Sequence, residues 1–387
     1  MTAGESHGPR LTAILAGMPS GLRIDPAFVA SELARRQHGY GRGGRMKIEK
    51  DEARFEGGLR GGVTLGSPIA IGIENRDHAS WEAVMGPLAV DPEAAAAKRL
   101  TRPRPGHADL AGGLKYGAAD LRDVLERASA RESAARVAAG AVCKLLLAEC
   151  GIEVKSGVLA LGPVRDDTSP RSFASLERVR QDSPLRAIDA SLEVEMIAAV
   201  DAAKKDGETL GGAILVGARG VPAGLGSFAS WDRKLDGRIG QALLSVPAVK
   251  AVELGSAIET SRGPGSAAHD EIEPGVRGGL ARRTNRAGGL EAGVTNGEDV
   301  LAVAYMKPIS TLARGLDSVD LETGRPARSA YERSDITAVP ACGVICEAML
   351  AFVLADALLE LTGADRMADV TSRLEAHRDR VRRYPRA

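Results

Sequence analysis

The chain has 387 residues, and its 51 Lys plus Arg are balanced by 51 Asp plus Glu, so the net charge is zero. That balance argues against a nucleic-acid binder, which carries a basic excess, and aromatics at 3% leave few platforms for stacking bases. No apolar run reaches the length of a membrane span and the polar start has no signal-peptide pattern, so a cytoplasmic protein with no membrane contact is expected.

In chain order, residues 11–17 read as a first strand after the Gly4-Glu5-Ser6-His7-Gly8 turn. Asp25-Pro26 is an N-cap followed by proline at the first helical position, and the helix runs to about Arg36. The cationic loop Gly39-Tyr40-Gly41-Arg42-Gly43-Gly44-Arg45 follows a helix instead of a strand, which excludes a dinucleotide fingerprint. Residues 47–55 and 63–74 have strand character, and Asp91-Pro92 opens a short Ala-rich helix. In the strip 102–115, two prolines alternate with Arg102 and Arg104, predicting a stiff extended backbone with no helix, ahead of Gly106 and His107.

The spacing predicts one helix over 125–150, with Ser129 as N-cap, Glu132 reaching back in a capping box, and an alanine face suited to close packing. Strands follow at 154–164, 211–219, 249–254 and 300–306, and helices at 191–205 and 232–244. Residues 258–293 read as one long Gly-, Arg- and Ser-rich loop. Arg333-Ser334-Asp335 precedes a helix over 338–361, and a charged, exposed helix over 367–383 ends the chain. Cys143, Cys150, Cys342 and Cys346 lack metal-site spacing and read as reduced, buried thiols; no metal is expected. The pattern is α+β with antiparallel sheets, not a doubly wound sheet.

Several of these elements share one chemistry. Arginine matches phosphate and carboxylate geometry, and histidine exchanges protons near neutral pH. His7 and His107 sit in glycine-flanked loops. Arg36, Arg42, Arg45, Arg102, Arg104, Arg127, Arg131 and Arg333 supply positive charge. For the strip around His107, a structural loop and an anion site are equally compatible with the residues. Arg127 and Arg131, flanking the predicted start of the 125–150 helix, favour an anion there. Together they suit a phosphorylated carboxylic acid and proton transfer. A phosphotransferase reading lacks a P-loop and a spaced acidic pair.

Six colinear segments carry a resemblance. They are Thr2 to Gly8, Arg102-Pro103-Arg104-Pro105-Gly106-His107-Ala108-Asp109, Glu126 to Glu132, Thr284-Asn285-Arg286-Ala287-Gly288-Gly289, Lys307-Pro308-Ile309-Ser310-Thr311 and Arg333-Ser334-Asp335. With them the chain resembles the chorismate synthase family. The resemblance implies a β-α-β sandwich of antiparallel sheets around a helical layer, one domain over 1–387 with its charged helix at about 365–384, and homotetramers. It implies a 1,4-anti elimination that turns 5-enolpyruvylshikimate 3-phosphate into chorismate and phosphate with reduced FMN. The reductant would be NADPH, or an external flavin reductase would supply the flavin.

By the same resemblance, His7 protonates the leaving phosphate and His107 serves the flavin, with the two roles exchangeable. Asp335, Ser6 and Ser129 relay the C6 proton. Arg36, Arg42, Arg45 and Arg131 hold substrate or NADP anions. FMN contacts come from Arg127, Ala128, Ser129, Pro247, Ala248, Ala292, Lys307, Pro308, Ile309, Ser310, Thr311 and Arg333. Fewer residues than usual precede Gly4, so either the edge of the first strand is missing or the start site is misplaced. The loop 260–266 is less basic than the family pattern. His38 and His78 are expected at the pocket rim or in structural roles, and His377 in solvent.

Overall fold

Two antiparallel sheets face each other across a layer of long helices in the computed structural model, which describes residues 1–43, 50–275, 279–332, 334–363 and 365–384. The first sheet has the order Thr2–Ala3, Arg10–Leu15, Ile69–Glu74, Ala53–Gly57. Leu11, Ala13 and Leu15 alternate inward, as do Ile69, Ile71 and Ile73, while Arg54–Glu74 pairs on the outer side. This period of two marks a sheet with one face covered. The second sheet has the order Val249–Leu254, Val300–Met306, Gly212–Arg219, Glu153–Leu161, Val164–Arg165. Its central strands are apolar without alternation because both faces are covered. The helical layer lies on one face, and the Phe173–Glu177 helix seals the other with Phe173 and Leu176.

Between the sheets run the helices Pro26–Gln37, Ser133–Glu149 and Val339–Thr362. Asp25 caps the first through its side chain on the Ala27 N–H, as its position before Pro26 predicts. The alanine face of Ser133–Glu149 is buried at Ala134, Ala135, Ala138 and Ala141, which lets Val339–Thr362 approach closely. The closest approach is at Gly140, where an added Cβ would lie 2.4 Å from the Ala348 Cβ. Gly140→Ala should therefore destabilise by about 1–3 kcal/mol, overriding the roughly 1 kcal/mol that alanine gains over glycine in a helix. Denaturant unfolding measures the sign.

Val339–Thr362 corrects one expectation: it is long and apolar enough to cross a membrane. It is the core helix instead, with 78% of its most apolar window buried inside the protein. On it sits fully buried Glu347, which accepts from Arg35, Lys144, Ser156 and Arg186 at 2.7–3.0 Å. The four cysteines are free and buried as expected, and burial pushes the Cys143 thiol up to about 12.

Other corrections are local. The strip 102–115 is extended only at its start, and Asp109–Tyr116 is helical once past the prolines. The helix expected over 125–150 is two helices, Arg122–Ala128 and Ser133–Glu149, separated by an extended Ser129 and a single 3-10 turn. Ser129 caps that turn through the Arg131 N–H, but Glu132 pairs forward with Arg136 instead of reaching back. The segment 258–293 contains the helices Ala257–Thr260 and Gly265–Ala268 and the hairpin Ile272–Pro274/Leu280–Arg282. An edge strand before the His7 loop is present, because Thr2–Ala3 pairs with Ala13 and Thr12, so the first alternative does not hold. The last helix, Met367–Arg383, buries Met367, Val370 and Leu374, and His377 donates to the Ala223 carbonyl at 2.7 Å instead of facing solvent alone.

Candidate active site

The loop carrying His7 leaves the edge strand at Gly4, where φ is +106° and a Cβ would sit 2.3 Å from the Arg10 carbonyl oxygen; only glycine fits. The Ser6 N–H donates to the Glu126 carbonyl at 2.9 Å, and the His7 N–H donates to Glu126 Oε2 at 2.8 Å. The His7 ring places Nδ1 2.9 Å from Glu126 Oε1 and stacks on Trp81 with centroids 4.1 Å apart. Arg122 pairs with Glu126 at 3.1 Å and with Glu332 at 3.0 Å. Burial works against ionisation of Glu126, yet its bonds to His7 and the charge of Arg122 hold the carboxyl below its ordinary range.

Asn75 joins this loop to the arginines. Its amide donates to the Glu5 and Gly8 carbonyls at 3.0 and 2.7 Å, and its Oδ1 accepts from Arg131 Nε at 2.9 Å. Arg131 and Arg36 share the buried carboxylate of Asp51, Arg36 at 2.5 Å. Burial lowers the proton affinity of Arg36, Asp51 opposes that, and the fields of Arg131 and Arg42 lower it further. Arg36 Nε is buried with no hydrogen-bond partner among the described residues. Arg42 pairs with Asp335 at 2.8 Å, and the Gly43 N–H donates to the same carboxylate at 2.6 Å. Arg45 and Arg333 lie outside the described residues.

A second cluster surrounds His107. Its Nδ1 lies 2.6 Å from Asp109 Oδ1, and Arg104 bridges Asp109 at 2.8 Å and Thr311 Oγ1 at 2.8 Å. Burial raises the Asp109 pKa, but bonds from His107 and Arg104 outweigh it and leave the carboxyl well below the usual range. Lys307 and Ser310 both donate to the Gly106 carbonyl, at 2.7 and 2.8 Å. The Lys307 N–H donates to the carbonyl of Ala248, itself at φ +68°, which brings Pro247-Ala248 to this cluster. Pro308 and Ile309 continue it, the Ile309 carbonyl accepting from Thr209. Ala292 is at the exposed tip of the hairpin Leu290–Glu291/Val294–Thr295, at the start of the Leu235–Leu244 helix. Ala248 lies beyond the other end of that helix, about 15 Å long at the usual rise.

Ala330, Glu332 and Asp335 tie the two clusters together: the Ala330 N–H donates to the Arg102 carbonyl, Glu332 pairs with Arg122, and Asp335 with Arg42. The helix-start anion site expected from Arg127 and Arg131 is not formed by that pair. Arg127 donates to the Thr2 and Gly4 carbonyls, bracing the edge strand beside Ala128 and Ser129, whereas Arg131 turns inward to Asp51. His78 is structural as expected, its Nδ1 2.9 Å from the His7 carbonyl. Asp51, Asn75 and Trp81 are site members that sequence reading missed. Their partners lie tens of residues away and no local pattern marks them. Glu126 and Asp109 stood inside recognised segments without a role.

A buried arginine cluster around one shared carboxylate, beside a carboxylate-backed imidazole, is an arrangement suited to an enzyme that binds a small anion and transfers a proton. Residues 1–359 match the family model described as chorismate synthase. The chain is 51% identical over 385 residues to the chorismate synthase of Geobacillus kaustophilus (strain HTA426), covering 99% of this chain and 98% of the relative. It is 52% identical over 378 residues to that of Moorella thermoacetica (strain ATCC 39073 / JCM 9320), covering 98% and 97%. A solved structure titled "Crystal Structure of Chorismate Synthase" superposes with a TM-score of 0.79 at 40% identity, covering 99% of this chain and 98% of that one. The chain belongs to the chorismate synthase family, lyases that complete the shikimate pathway.

Proposed function

We propose that this chain converts 5-enolpyruvylshikimate 3-phosphate to chorismate and phosphate in a reaction that depends on reduced FMN. The observation that carries the reading is the cationic surplus at Arg36. A guanidinium whose buried Nε has no partner among the described residues lies in the field of Arg42 and Arg131, with Asp51 as its paired carboxylate. A substrate carrying a phosphate and two carboxylates relieves that field. Arg36, Arg42, Arg45 and Arg131 hold the phosphate and carboxylates, or NADP where it binds. His7 gives the proton to the departing phosphate oxygen. Asp335, Ser6 and Ser129 carry away the C6 proton.

The His107 cluster fits the flavin. Lys307 and the Ser310 and Thr311 hydroxyls stand with Arg104 around Gly106, a donor set suited to a phosphate and to the electron-rich ring of a reduced flavin. Arg127, Ala128, Ser129, Pro247, Ala248, Ala292, Lys307 to Thr311 and Arg333 would hold it, Arg127 to Ser129 from the edge-strand side, and His107 would set its protonation. Reduced FMN, when bound, lends electron density to the allylic system and recovers it, so the reaction has no net redox change. As a family member the protein works as a homotetramer in the cytoplasm, with flavin reduced by NADPH or by an external reductase. Anaerobic titration with dithionite-reduced FMN, with and without the substrate, tests the reading. Substrate should tighten flavin binding and release phosphate; absence of both overturns it.

A further inference from the structure

Glu126 is a fully buried carboxylate placed behind His7, and the chemistry above gives it no part. We propose that Glu126 is the positioning residue that selects the working tautomer of His7 and sustains its charged form; this rests on the proton transfer assigned to His7 above. Two contacts carry the inference. The Glu126 carboxylate takes the His7 backbone N–H on one oxygen and lies 2.9 Å from Nδ1 with the other. A carboxylate at Nδ1 fixes the proton there and leaves Nε2 as the exchanging edge. Stacking on Trp81 fixes the remaining rotation of the ring.

The groups around the ring decide its charge balance. Glu126 and Arg122 come from the Arg122–Ala128 helix, Asp77 and His78 from the Arg76–Ser80 turn, and Lys98 lies beyond Trp81, over which Arg122 also packs. Asp77 is 4.0 Å from Nε2 and one quarter exposed, so solvent weakens it; Glu126 has no exposed side-chain surface. Arg122 keeps Glu126 ionised and has Glu332 as a second partner. Neutralising Glu126 therefore does not strand Arg122. In the transfer, the proton on Nε2 of the imidazolium passes to the phosphate oxygen. The carbon–oxygen bond breaks with its electron pair on that oxygen, and the ring is left neutral with Nδ1–H still on Glu126.

The test is the pH profile of phosphate release in Glu126→Gln and Glu126→Asp with reduced FMN held saturating. Because His7 acts protonated, activity falls on the alkaline side of the profile. In Glu126→Gln that alkaline limb should move down by about one pH unit and kcat should fall about 10-fold or more, with the Kd for reduced FMN unchanged. Glu126→Asp, which keeps the charge, should hold the limb near that of the parent. Glu126→Gln placed on His7→Gln should add no further loss. An unmoved limb, or full additivity, overturns the proposal. Should Glu126→Gln fail to fold, 15N NMR of the parent's histidines, assigned with His7→Gln, decides: a neutral ring protonated on Nδ1 agrees, and one protonated on Nε2 refutes it. A parent that releases no phosphate overturns the proposed reaction instead, and a working parent with an unaltered Glu126→Gln overturns only the role of Glu126.

Discussion

His7→Ala should lower kcat by about 10²–10⁴-fold, the usual contribution of a positioned general acid. Reduced-flavin binding should be spared, because Lys307, Ser310 and His107 form a separate cluster, and Arg127 and Ser129, though next to Glu126, make their own bonds without the His7 ring. The ring sits on a closed frame of Glu126, Trp81 and the Asn75-braced loop, so its removal takes away a proton donor without loosening the arginines. Single-turnover phosphate release under anaerobic conditions measures the effect. Turnover within a few-fold of the parent would move the acid role away from His7, and loss of flavin binding in His7→Ala would exchange the roles of the two imidazoles.

The largest stability effect is expected at Glu347. Replacing it with alanine leaves Arg35, Lys144 and Arg186 facing a core with their shared carboxylate gone, and Ser156 without its acceptor. Breaking a buried ion pair from one side costs about 3–5 kcal/mol, and here three cations lose one partner. Arg35 and Lys144 keep Glu32, which limits the loss. Glu347→Gln, which retains the shape, should cost less. Burial disfavours the Glu347 charge, but Lys144, Arg35 and Arg186 hold its pKa far below the unfolded value. Its contribution is therefore full above about pH 4.3 and fades as pH falls below that. Urea unfolding with a fitted m-value gives the difference; a midpoint within a few tenths molar of the parent would contradict it. The same network orients Arg35, and Arg36, next in the helix, faces the site.

Much of the fold was legible. Helix Pro26–Gln37 announced itself through Asp25-Pro26, and Met367–Arg383 and Val300–Met306 through their patterns. The break at Ser129 was not legible. Ser129 is a competent cap, but the preceding turn is helical because Leu121, Leu125 and Glu126 are buried by distant partners. The apolar stretch Val339–Thr362 is of membrane length in the sequence itself; that it is covered by protein is decided by the packing of the two sheets around it.

What the sequence by itself determined is the chemistry available: two glycine-flanked histidines, a set of arginines, a lysine followed by hydroxyls, and segments in the order of one family. Those are local facts, carried by residue type and spacing. Only the tertiary structure decided which charges meet. Asp51 reaches both Arg36 and Arg131, Glu126 backs His7 from 119 residues away, and Asp335 finds Arg42. Pairings across such separations are set by how two sheets close on a helical layer, a packing outcome that no short window of sequence encodes.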